Sequence, residues 1–231
     1  MEVLYEDNHI IIVSKSAGEI VQGDKTGDTP LSEMVKAYVK EKYAKPGAVF
    51  LGVVHRLDRP VSGVVLFART SKALARLNEM FRTQAVQKTY WALVQNAPKA
   101  SEGVLTHYLV RNEKQNKSYA YTTERPQAKK AVLDYRVIAH SDRYHLLEVH
   151  LHTGRHHQIR CQLSAIGCPI RGDLKYGAPR SNPDGSISLH ARSIRFEHPV
   201  SHQEIYVEAT PPVEGPWKAF VHFGDATNQE K

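Results

Sequence analysis

A carboxylate that could act in acid-base or nucleophilic chemistry lies in the stretch Gly52 to Thr70, which reads GVVHRLDRPVSGVVLFART. There Asp58 stands among a histidine and two arginines, and the apolar, β-branched runs Val53-Val54 and Val64 to Ala68 flank this polar insert. The pattern predicts strand, tight turn, strand. A turn that is held by sheet on both sides can position a catalytic carboxylate rigidly. Asp58 is therefore the first candidate for catalysis.

A second basic motif supplies candidate partners for this carboxylate. A carboxylate next to arginine in sequence is most often a surface ion pair, but the apolar frame around Asp58 predicts a buried backbone, and a buried carboxylate needs a cation. The motif TGRHHQIR covers Thr153 to Arg160. On a helix that begins near His156, Arg160 lies beside Ile159 and can project inward, while Arg155 stays near the mouth of the site.

Metal and nucleotide chemistry have less support. Four histidines and a cysteine crowd one region, namely His150, His152, His156, His157 and Cys161. The spacing of His157 and Cys161 allows two ligands on one helical face, but no CxxC or HxxxH motif completes a tetrahedral set. Ser62-Gly63 is not part of a GxSxG elbow, and GxGxxG and GxxxxGK[ST] motifs are absent. We expect neither a metal nor a cofactor.

Composition and charge favour a polyanionic partner. The chain has 31 Lys and Arg residues and 24 Asp and Glu residues, so its net charge is 31 − 24 = +7 and its pI is about 9.3. Such a positive charge suits binding to nucleic acid, although many proteins are mildly basic without binding it. The two cysteines, Cys161 and Cys168, exclude a disulfide scaffold and indicate a reducing compartment. Because the acidic N-terminus has no signal-peptide pattern and no apolar run approaches membrane-spanning length, we expect a cytoplasmic protein.

A basic connector, Arg111 to Lys130, contains six basic residues against two acidic ones, interleaved with Tyr119 and Tyr121. Aromatic rings among positive charges suit single-stranded nucleic acid, on which bases can stack. A solvated hairpin excursion explains the same composition equally well. The sequence leaves both interpretations open.

Periodicity and turn residues predict one α+β domain over residues 1–231, mostly antiparallel, with a disordered tail at the last few residues. Helices are expected after the N-caps Thr29 and Ser71, from His156 to Ile166, and from Trp217 to Phe223. The other predicted strands are Val3 to Tyr5, Ile10 to Val13, Lys88 to Val94, Val104 to Val110, Leu133 to Ile138, Tyr144 to His152, Ser188 to Phe196 and Glu204 to Val207.

Five motifs occur in a characteristic order. They are His55-Arg56-Leu57-Asp58 followed by Ser62-Gly63, Lys88-x-Tyr90-x-Ala92-x-Val94, Gly154-Arg155-x-His157-Gln158-Ile159-Arg160, Gly172-Asp173-x-x-Tyr176-Gly177, and Leu189-His190-Ala191. In this order the chain resembles the RluA-type RNA pseudouridine synthases from about Val3 to the last strand. One departure is Lys15-Ser16-Ala17-Gly18, where Lys-Pro-Ala-Gly is usual in that family.

The resemblance implies a fold, a reaction and residue roles. The fold is a pseudouridine-synthase-like α+β domain with a large, mixed, mainly antiparallel sheet, flanking helices and a central catalytic cleft. The reaction converts uridine in RNA to pseudouridine without cofactor or metal. By resemblance Asp58 is the catalytic carboxylate, Tyr90 packs against the target base, and Arg160 pairs with Asp58. Arg56 fills the gap that the flipped nucleotide leaves. The other expected RNA-binding positions are His55, Leu57, Lys88, Arg155, His157, Gln158, Ile159 and His190.

The expected partner is structured RNA, with ribosomal RNA as the first target and transfer RNA as the alternative, and with neither a membrane nor an obligatory protein partner. A non-catalytic RNA-binding protein on the same scaffold is a second hypothesis, although such a binder has no need of Asp58, Tyr90 and Arg160 together. Metal-dependent hydrolysis by the histidines is a third. No RNA-binding domain precedes Val3, so we expect target selection by the catalytic domain and its connector.

Overall fold

A computed structural model describes residues 1–220 and residue 223. The chain forms two compact units, which are described separately. Unit 1 contains Met1–Gln87 and Ala191–Ala209, and unit 2 contains Lys88–His190 and residues 210–220. A single domain over residues 1–231 stays a prediction, and the expected disordered tail lies outside the described residues.

The elements are β1 (Glu2–Glu6), β2 (Ile10–Lys15), α1 (Leu31–Lys42), β3 (Gly52–Val53), β4 (Ser62–Ala68), α2 (Ser71–Arg82), β5 (Gln87–Val94), β6 (Glu102–Asn112), β7 (Lys117–Tyr121), β8 (Lys129–His140), β9 (His145–Leu151), α3 (Gln158–Ala165), β10 (Leu189–Glu197) and β11 (Glu204–Glu208). Short 3₁₀ helices cover Leu174–Tyr176 and Gly215–Phe220. In the described part of the chain, every helix falls short of the length and apolar character that crossing a bilayer requires.

The centre of unit 1 is the antiparallel pair of β2 and β4, whose register runs from Ile10↔Ala68 to Lys15↔Gly63. Both strands are buried along almost their whole length, as continuous apolar runs predict. The predicted hairpin of β1 and β2 is confirmed, and β3 pairs with the end of β4. Leu77 of α2 joins one apolar cluster with residues of β10 and β11, so this helix is held against the sheet by burial of its apolar face.

Unit 2 is built on antiparallel strands in the order β5-β9-β8-β6-β7. Side chains alternate along β8, where Ala131, Leu133 and Tyr135 are buried and their neighbours are not. One face is therefore the core face, and the other is more exposed. On the core face α3 contacts β6 and β7, and its Gln162 donates a hydrogen bond to the carbonyl of Leu105 over 3.1 Å.

Several predicted boundaries were wrong by one or two residues. Pro30 rather than Thr29 is the N-cap of α1, with extended backbone and no side-chain cap. Thr70 rather than Ser71 caps α2, and its Oγ1 accepts from the Ala73 amide. α3 begins two residues later than predicted because His157 has a left-handed backbone.

Two further segments were predicted only in part. The connector 111–130 contains the short strand β7, which forms a hairpin with β6. The helix expected over Trp217 to Phe223 is a 3₁₀ helix as far as Phe220, and residues 221 and 222 lie outside the described residues.

Candidate active site

Asp58 lies in an irregular segment, residues 54–61, between β3 and β4. The strands on either side pair as Gly52↔Ala68 and Val53↔Phe67, which confirms the predicted strand, turn, strand arrangement. The Asp58 carbonyl accepts from the Val61 amide at 3.0 Å, which closes a turn. Leu57 is buried and Asp58 is partly buried. The segment is thus anchored in the core beside the candidate carboxylate.

A buried lysine holds the backbone of this segment. Lys15, at the end of β2, is only 1% exposed. Its Nζ donates to the carbonyl oxygens of Val61 at 2.6 Å, Arg59 at 3.1 Å and Asp58 at 3.4 Å, and to that of Ser16 at 3.0 Å. Burial lowers the pKa of Lys15 to about 8, although Glu19 and Asp58 oppose this shift. One side chain therefore fixes three carbonyl groups of the segment that carries Asp58.

Two further contacts fix the ends of the segment. Arg59 donates from Nε to the Gly18 carbonyl at 3.0 Å, the Gly18 amide returns a bond to the Arg59 carbonyl, and the guanidinium pairs with Asp28. After the segment, Gly63 has a φ of +114°, and a Cβ there would lie 2.2 Å from the Ala191 carbonyl oxygen. Only glycine fits this position, which is the physical reason for the glycine of the Ser62-Gly63 motif.

His55 anchors the segment to β4 and α2. Its Nε2 accepts the Leu66 amide at 3.0 Å, and its ring stacks on Phe81 with the centroids 5.0 Å apart. Because Nε2 accepts, the neutral ring carries its proton on Nδ1. The expected RNA-binding role of His55 stays a prediction, as does that of the exposed Arg56.

In unit 2 the second motif begins with a turn organised by Gln158. The side-chain Oε1 of Gln158 accepts from Thr153 Oγ1 at 2.8 Å and from the Arg155 amide at 2.9 Å, and its Nε2 donates to the Val132 carbonyl at 3.0 Å. His157 follows the turn with a φ of +52°, an unfavourable conformation for a residue with a side chain. Gln158 therefore satisfies the turn that starts α3, a structural role that the sequence analysis did not assign to it.

Arg160 forms a bidentate ion pair with Asp173. Nε lies 2.6 Å from Oδ2 and Nη2 lies 2.9 Å from Oδ1, with the side chains 7% and 1% exposed. The inward orientation predicted for Arg160 is confirmed. The sequence analysis missed Asp173 as a partner, although the Gly172-Asp173-x-x-Tyr176-Gly177 motif contained the signal. The predicted partner Asp58 belongs to unit 1, and that ion pair stays a prediction.

Tyr176 connects this pair to the start of α3. Its hydroxyl accepts the Ser118 amide at 2.8 Å and lies 3.0 Å from His157 Nδ1, and its ring centroid lies 5.1 Å from the Arg160 Cζ. Burial raises the pKa of Tyr176, so the phenol keeps its single proton. Tyr176 therefore links the start of β7, His157 and the buried Arg160.

Three further expected RNA-binding positions lie in β5 and in the same motif, and they differ in exposure. Lys88 is half-buried, and burial lowers its pKa. A Cβ added to Gly154 would lie 3.6 Å from Lys88 Nζ. The structure therefore brings Lys88 close to the turn that carries Arg155. Arg155 is exposed and donates from Nε to the Lys130 carbonyl at 3.0 Å. Ile159 is a core residue.

Tyr90 and His190 are both buried within unit 2. Tyr90 pairs with Val149 across β5 and β9. The His190 ring meets Trp217 edge-on, with the centroids 6.1 Å apart. Their roles at the target base and in RNA binding stay predictions.

The crowded histidines divide into two hydrogen-bonded groups. His150 and His152 flank Asp134 at 2.8 and 2.6 Å, and these bonds outweigh burial to lower the Asp134 pKa. His156 instead bonds Ser118 Oγ at 2.9 Å. Over residues 1–220 and 223, we find no set of three or more His, Cys, Asp or Glu side chains placed to hold a metal ion.

Residues 9–165 match the sequence model of the RNA pseudouridylate synthase family. The match covers more than half of the chain, and the protein belongs to this family. The resemblance seen in its five motifs is thereby confirmed.

Two curated relatives and one solved structure illustrate the similarity. The ribosomal large subunit pseudouridine synthase C of Vibrio vulnificus is 33% identical over 213 residues, which cover 90% of this chain and 64% of the relative. The tRNA pseudouridine synthase C of Pectobacterium carotovorum is 31% identical over 239 residues, with coverage of 96% and 61%. The chain thus spans less than two thirds of the length of either relative.

The solved structure of human RNA pseudouridylate synthase domain containing 4 superposes with a TM-score of 0.76 and 25% identity, covering 91% of this chain and 88% of that one. This likeness confirms the predicted α+β, pseudouridine-synthase-like fold. The central catalytic cleft stays a prediction.

Proposed function

We propose that this protein isomerises uridine to pseudouridine within RNA and that Asp58 is the catalytic carboxylate. The observation that carries the proposal is the Asp58 segment itself. Its backbone is fixed by β3, β4 and the buried Lys15, in a chain that belongs to the RNA pseudouridylate synthase family. A carboxylate on so constrained a backbone keeps one position throughout a reaction.

The reaction needs one carboxylate and no redox change. The bond between N1 of uracil and C1′ of ribose breaks, with positive character on C1′ and negative charge on the base. Asp58 either attacks C1′ or stabilises that cation, as carboxylates do in retaining glycosidases. The base turns, C5 forms a bond to C1′, C5 loses its proton to solvent and N1 gains one. Atoms and electrons balance, so the product is an isomer of the substrate.

We propose two further functional residues, both in unit 2. Arg160 is the cation among the proposed functional residues, and its bidentate ion pair with Asp173 fixes the plane of the guanidinium. Tyr90 supplies an aromatic ring for the target base from strand β5. Tyr90→Phe separates stacking from proton transfer: a lowered rate assigns a task to the hydroxyl, whereas unchanged turnover removes the hydroxyl from the mechanism.

For the target we propose ribosomal RNA first, because the Vibrio vulnificus relative is named for the large ribosomal subunit. Transfer RNA is the second candidate, because the Pectobacterium carotovorum relative is named for that substrate at nearly the same identity. A cytoplasmic location fits either RNA. Mapping pseudouridines in cellular ribosomal and transfer RNA with and without this protein distinguishes the two.

The reaction is tested with the purified full chain and unmodified ribosomal and transfer RNA transcripts labelled with tritium at C5 of uracil. Wild-type protein should release tritium and leave pseudouridine at defined positions. Asp58→Asn keeps the size of the side chain but removes its charge, and it should abolish release while RNA binding persists. Full activity of Asp58→Asn would disprove the assignment.

The alternatives have their own outcomes in the same assay. RNA binding by wild-type protein without tritium release on any cellular RNA favours the non-catalytic binder. Activity that is lost with a chelator and restored by zinc favours metal-dependent chemistry at the histidines. We expect tritium release to survive chelation.

A further inference from the structure

The β6–β7 hairpin of unit 2 presents a row of aromatic and basic side chains across three strands. Tyr121 of β7 pairs with Tyr108 of β6, and Tyr108 pairs on its other side with Lys130 of β8. Paired residues point to the same face of a sheet. Tyr119 and Lys117 precede Tyr121 at intervals of two along β7 and so share that face by register. Lys117 Nζ also lies 5.2 Å from the ring centroid of Tyr176.

This face is the more exposed side of the sheet. Residues that alternate with the row, such as Ser118, Leu109 and Ala131, are buried on the core side. Tyr119 itself is 38% exposed. Tyr108 and Tyr121 are partly exposed, and aromatic residues that reach solvent on a sheet face are typical of binding surfaces.

Cations lie over the exposed rings. The Cζ of Arg125 is 4.0 Å from the centroid of the Tyr121 ring, and Lys117 Nζ is 5.4 Å from that of Tyr119. We call the set Tyr108, Lys117, Tyr119, Tyr121, Arg125 and Lys130 the hairpin platform. It contains three aromatic rings and three positive charges.

The two ends of the exposed face differ in net charge. Farther along the same strands, Asp134 pairs with His150, and Arg136 pairs with Glu148. There the carboxylates of Glu148 and Asp134 contact Arg136 and His150, whereas the charged members of the platform are all basic. A polyanion therefore meets an excess of positive charge at the platform.

The core side of the hairpin is fixed to unit 2. The Ser118 amide donates to the Tyr176 hydroxyl, and Cys161 Sγ lies 3.2 Å from the Ser118 carbonyl. Near the hairpin tip, Lys175 Nζ donates to the Asn116 carbonyl at 3.1 Å. The platform is therefore held in place before any ligand arrives, which reduces the entropy that binding must overcome.

We propose that the hairpin platform binds unpaired nucleotides of the RNA substrate. Bases stack on the Tyr119 ring and on the Arg125 guanidinium that covers the Tyr121 ring, and the phosphates lie beside Lys117 and Lys130. Stacking on aromatic rings tolerates any base and requires that the base be unpaired, and cations beside the rings neutralise the backbone. The identity of the ligand as RNA rests on the proposed function, whereas the selectivity for unpaired nucleotides rests on the platform.

Fluorescence anisotropy with a labelled unpaired oligoribonucleotide, and with a duplex of the same composition, tests the platform without catalysis. Tyr119→Ala/Tyr121→Ala should raise Kd for the unpaired RNA about 30-fold, because two stacking contacts are lost. Tyr119→Phe/Tyr121→Phe should bind like wild type, since stacking does not use the hydroxyl. Lys117→Gln/Lys130→Gln should reduce the slope of log Kd against log salt concentration by about 1.4.

Tyr206 provides a matched control, because it is 37% exposed and lies beneath Arg195, with Cζ 4.7 Å from its ring centroid, but in unit 1. Tyr206→Ala should leave Kd unchanged. An equal loss of affinity in this control would overturn the proposal. If the double alanine variant does not fold, Tyr119→Ala alone, at the most exposed ring, carries the test.

The two proposals fail in different ways. A double alanine variant that binds unpaired RNA as tightly as wild type overturns the platform, whether or not pseudouridine is formed. Duplex RNA bound as tightly as unpaired RNA, with the same dependence on the tyrosines, overturns it as well. Wild-type protein that binds unpaired RNA through the tyrosines but releases no tritium supports the platform and disproves the proposed function.

Discussion

The two units fix their candidate catalytic residues in different ways. In unit 1 the Asp58 segment is held through its backbone, where the single Lys15 ammonium contacts three of its carbonyl groups. In unit 2 Arg160 is held through its side chain, by Asp173 and by the ring of Tyr176. A short carboxylate is positioned by its backbone, whereas a long guanidinium must be positioned near its end.

The difference predicts how each unit responds to substitution. An ammonium has three protons and here serves four carbonyl oxygens, so its loss affects the whole segment at once. The guanidinium has five donors, and Asp173 uses two of them. Support in unit 2 is shared among several side chains, but its central ion pair is buried, and breaking such a pair leaves an uncompensated charge.

Removing the guanidinium should have the largest effect. Arg160→Ala leaves Asp173 buried without its cation, and we expect the free energy of unfolding to fall by about 3–5 kcal/mol. Loss of the positive charge should lower the rate of isomerisation by about 1,000-fold. Denaturant unfolding and tritium release measure the two effects.

A double variant separates stability from catalysis in the same pair. Arg160→Ala/Asp173→Ala removes both charges, so most of the stability should return while activity stays lost. Arg82→Ala, at an exposed ion pair with Glu79, should leave the unfolding free energy unchanged, because water screens such a pair. Recovery of activity in the double variant would mean that Arg160 has no direct part in the reaction.

Removing the lysine should have the next largest effect. Lys15→Met is close in length but cannot donate, so four carbonyl groups lose a partner and stability should fall by about 2 kcal/mol. A displaced Asp58 should lower the rate about 100-fold. The exposed Lys72 on α2 is the control, and Lys72→Met should alter neither quantity. Wild-type kcat in a folded Lys15→Met protein would show that the segment needs no such anchor.

These two anchors mark the limit of what the sequence could predict. The frame of Asp58 followed from Val53-Val54 and Val64 to Ala68, because strand propensity and turn residues are local signals. The inward position of Arg160 followed from helical spacing, which is also local. Family motifs then indicated the reaction class, because their order along the chain is read directly from the sequence.

The partners could not be predicted because they are tertiary contacts. Lys15 ends a strand as an ordinary polar residue in sequence, and only the packing of residues 58–61 around it makes it a buried donor. Asp173 lies thirteen residues after Arg160, a separation that no local periodicity reports. The cap at Thr70 was missed by one residue because the neighbouring Ser71 has equally good capping chemistry. The cap at Pro30 was missed because this position has no side-chain cap that the sequence could signal.

The smallest predicted effect is the response of the protein to the titration of Lys15. The direction in which kcat changes with pH distinguishes a lysine that positions the Asp58 segment from one that is only buried beside it. Burial lowers the pKa of Lys15 from 10.5 to about 8 in the folded chain. Between pH 8 and pH 10.5 the unfolded chain therefore holds a proton on Lys15 that the folded chain has lost. The contribution of Lys15 to stability therefore rises with pH in this window.

The activity should change in the opposite direction. Above pH 8 the neutral amine has one donor fewer for the four carbonyl groups, so the segment that carries Asp58 loosens and kcat should fall to a lower plateau. The fall should be smaller than that caused by Lys15→Met, because the amine still has two donors. Lys15→Arg keeps its charge throughout, so both trends should vanish in a folded Lys15→Arg protein even if its rate is lower. Rate and unfolding profiles from pH 7 to 10 measure them together. If kcat of the wild type stays level while its stability rises, Lys15 is buried near the segment without positioning it.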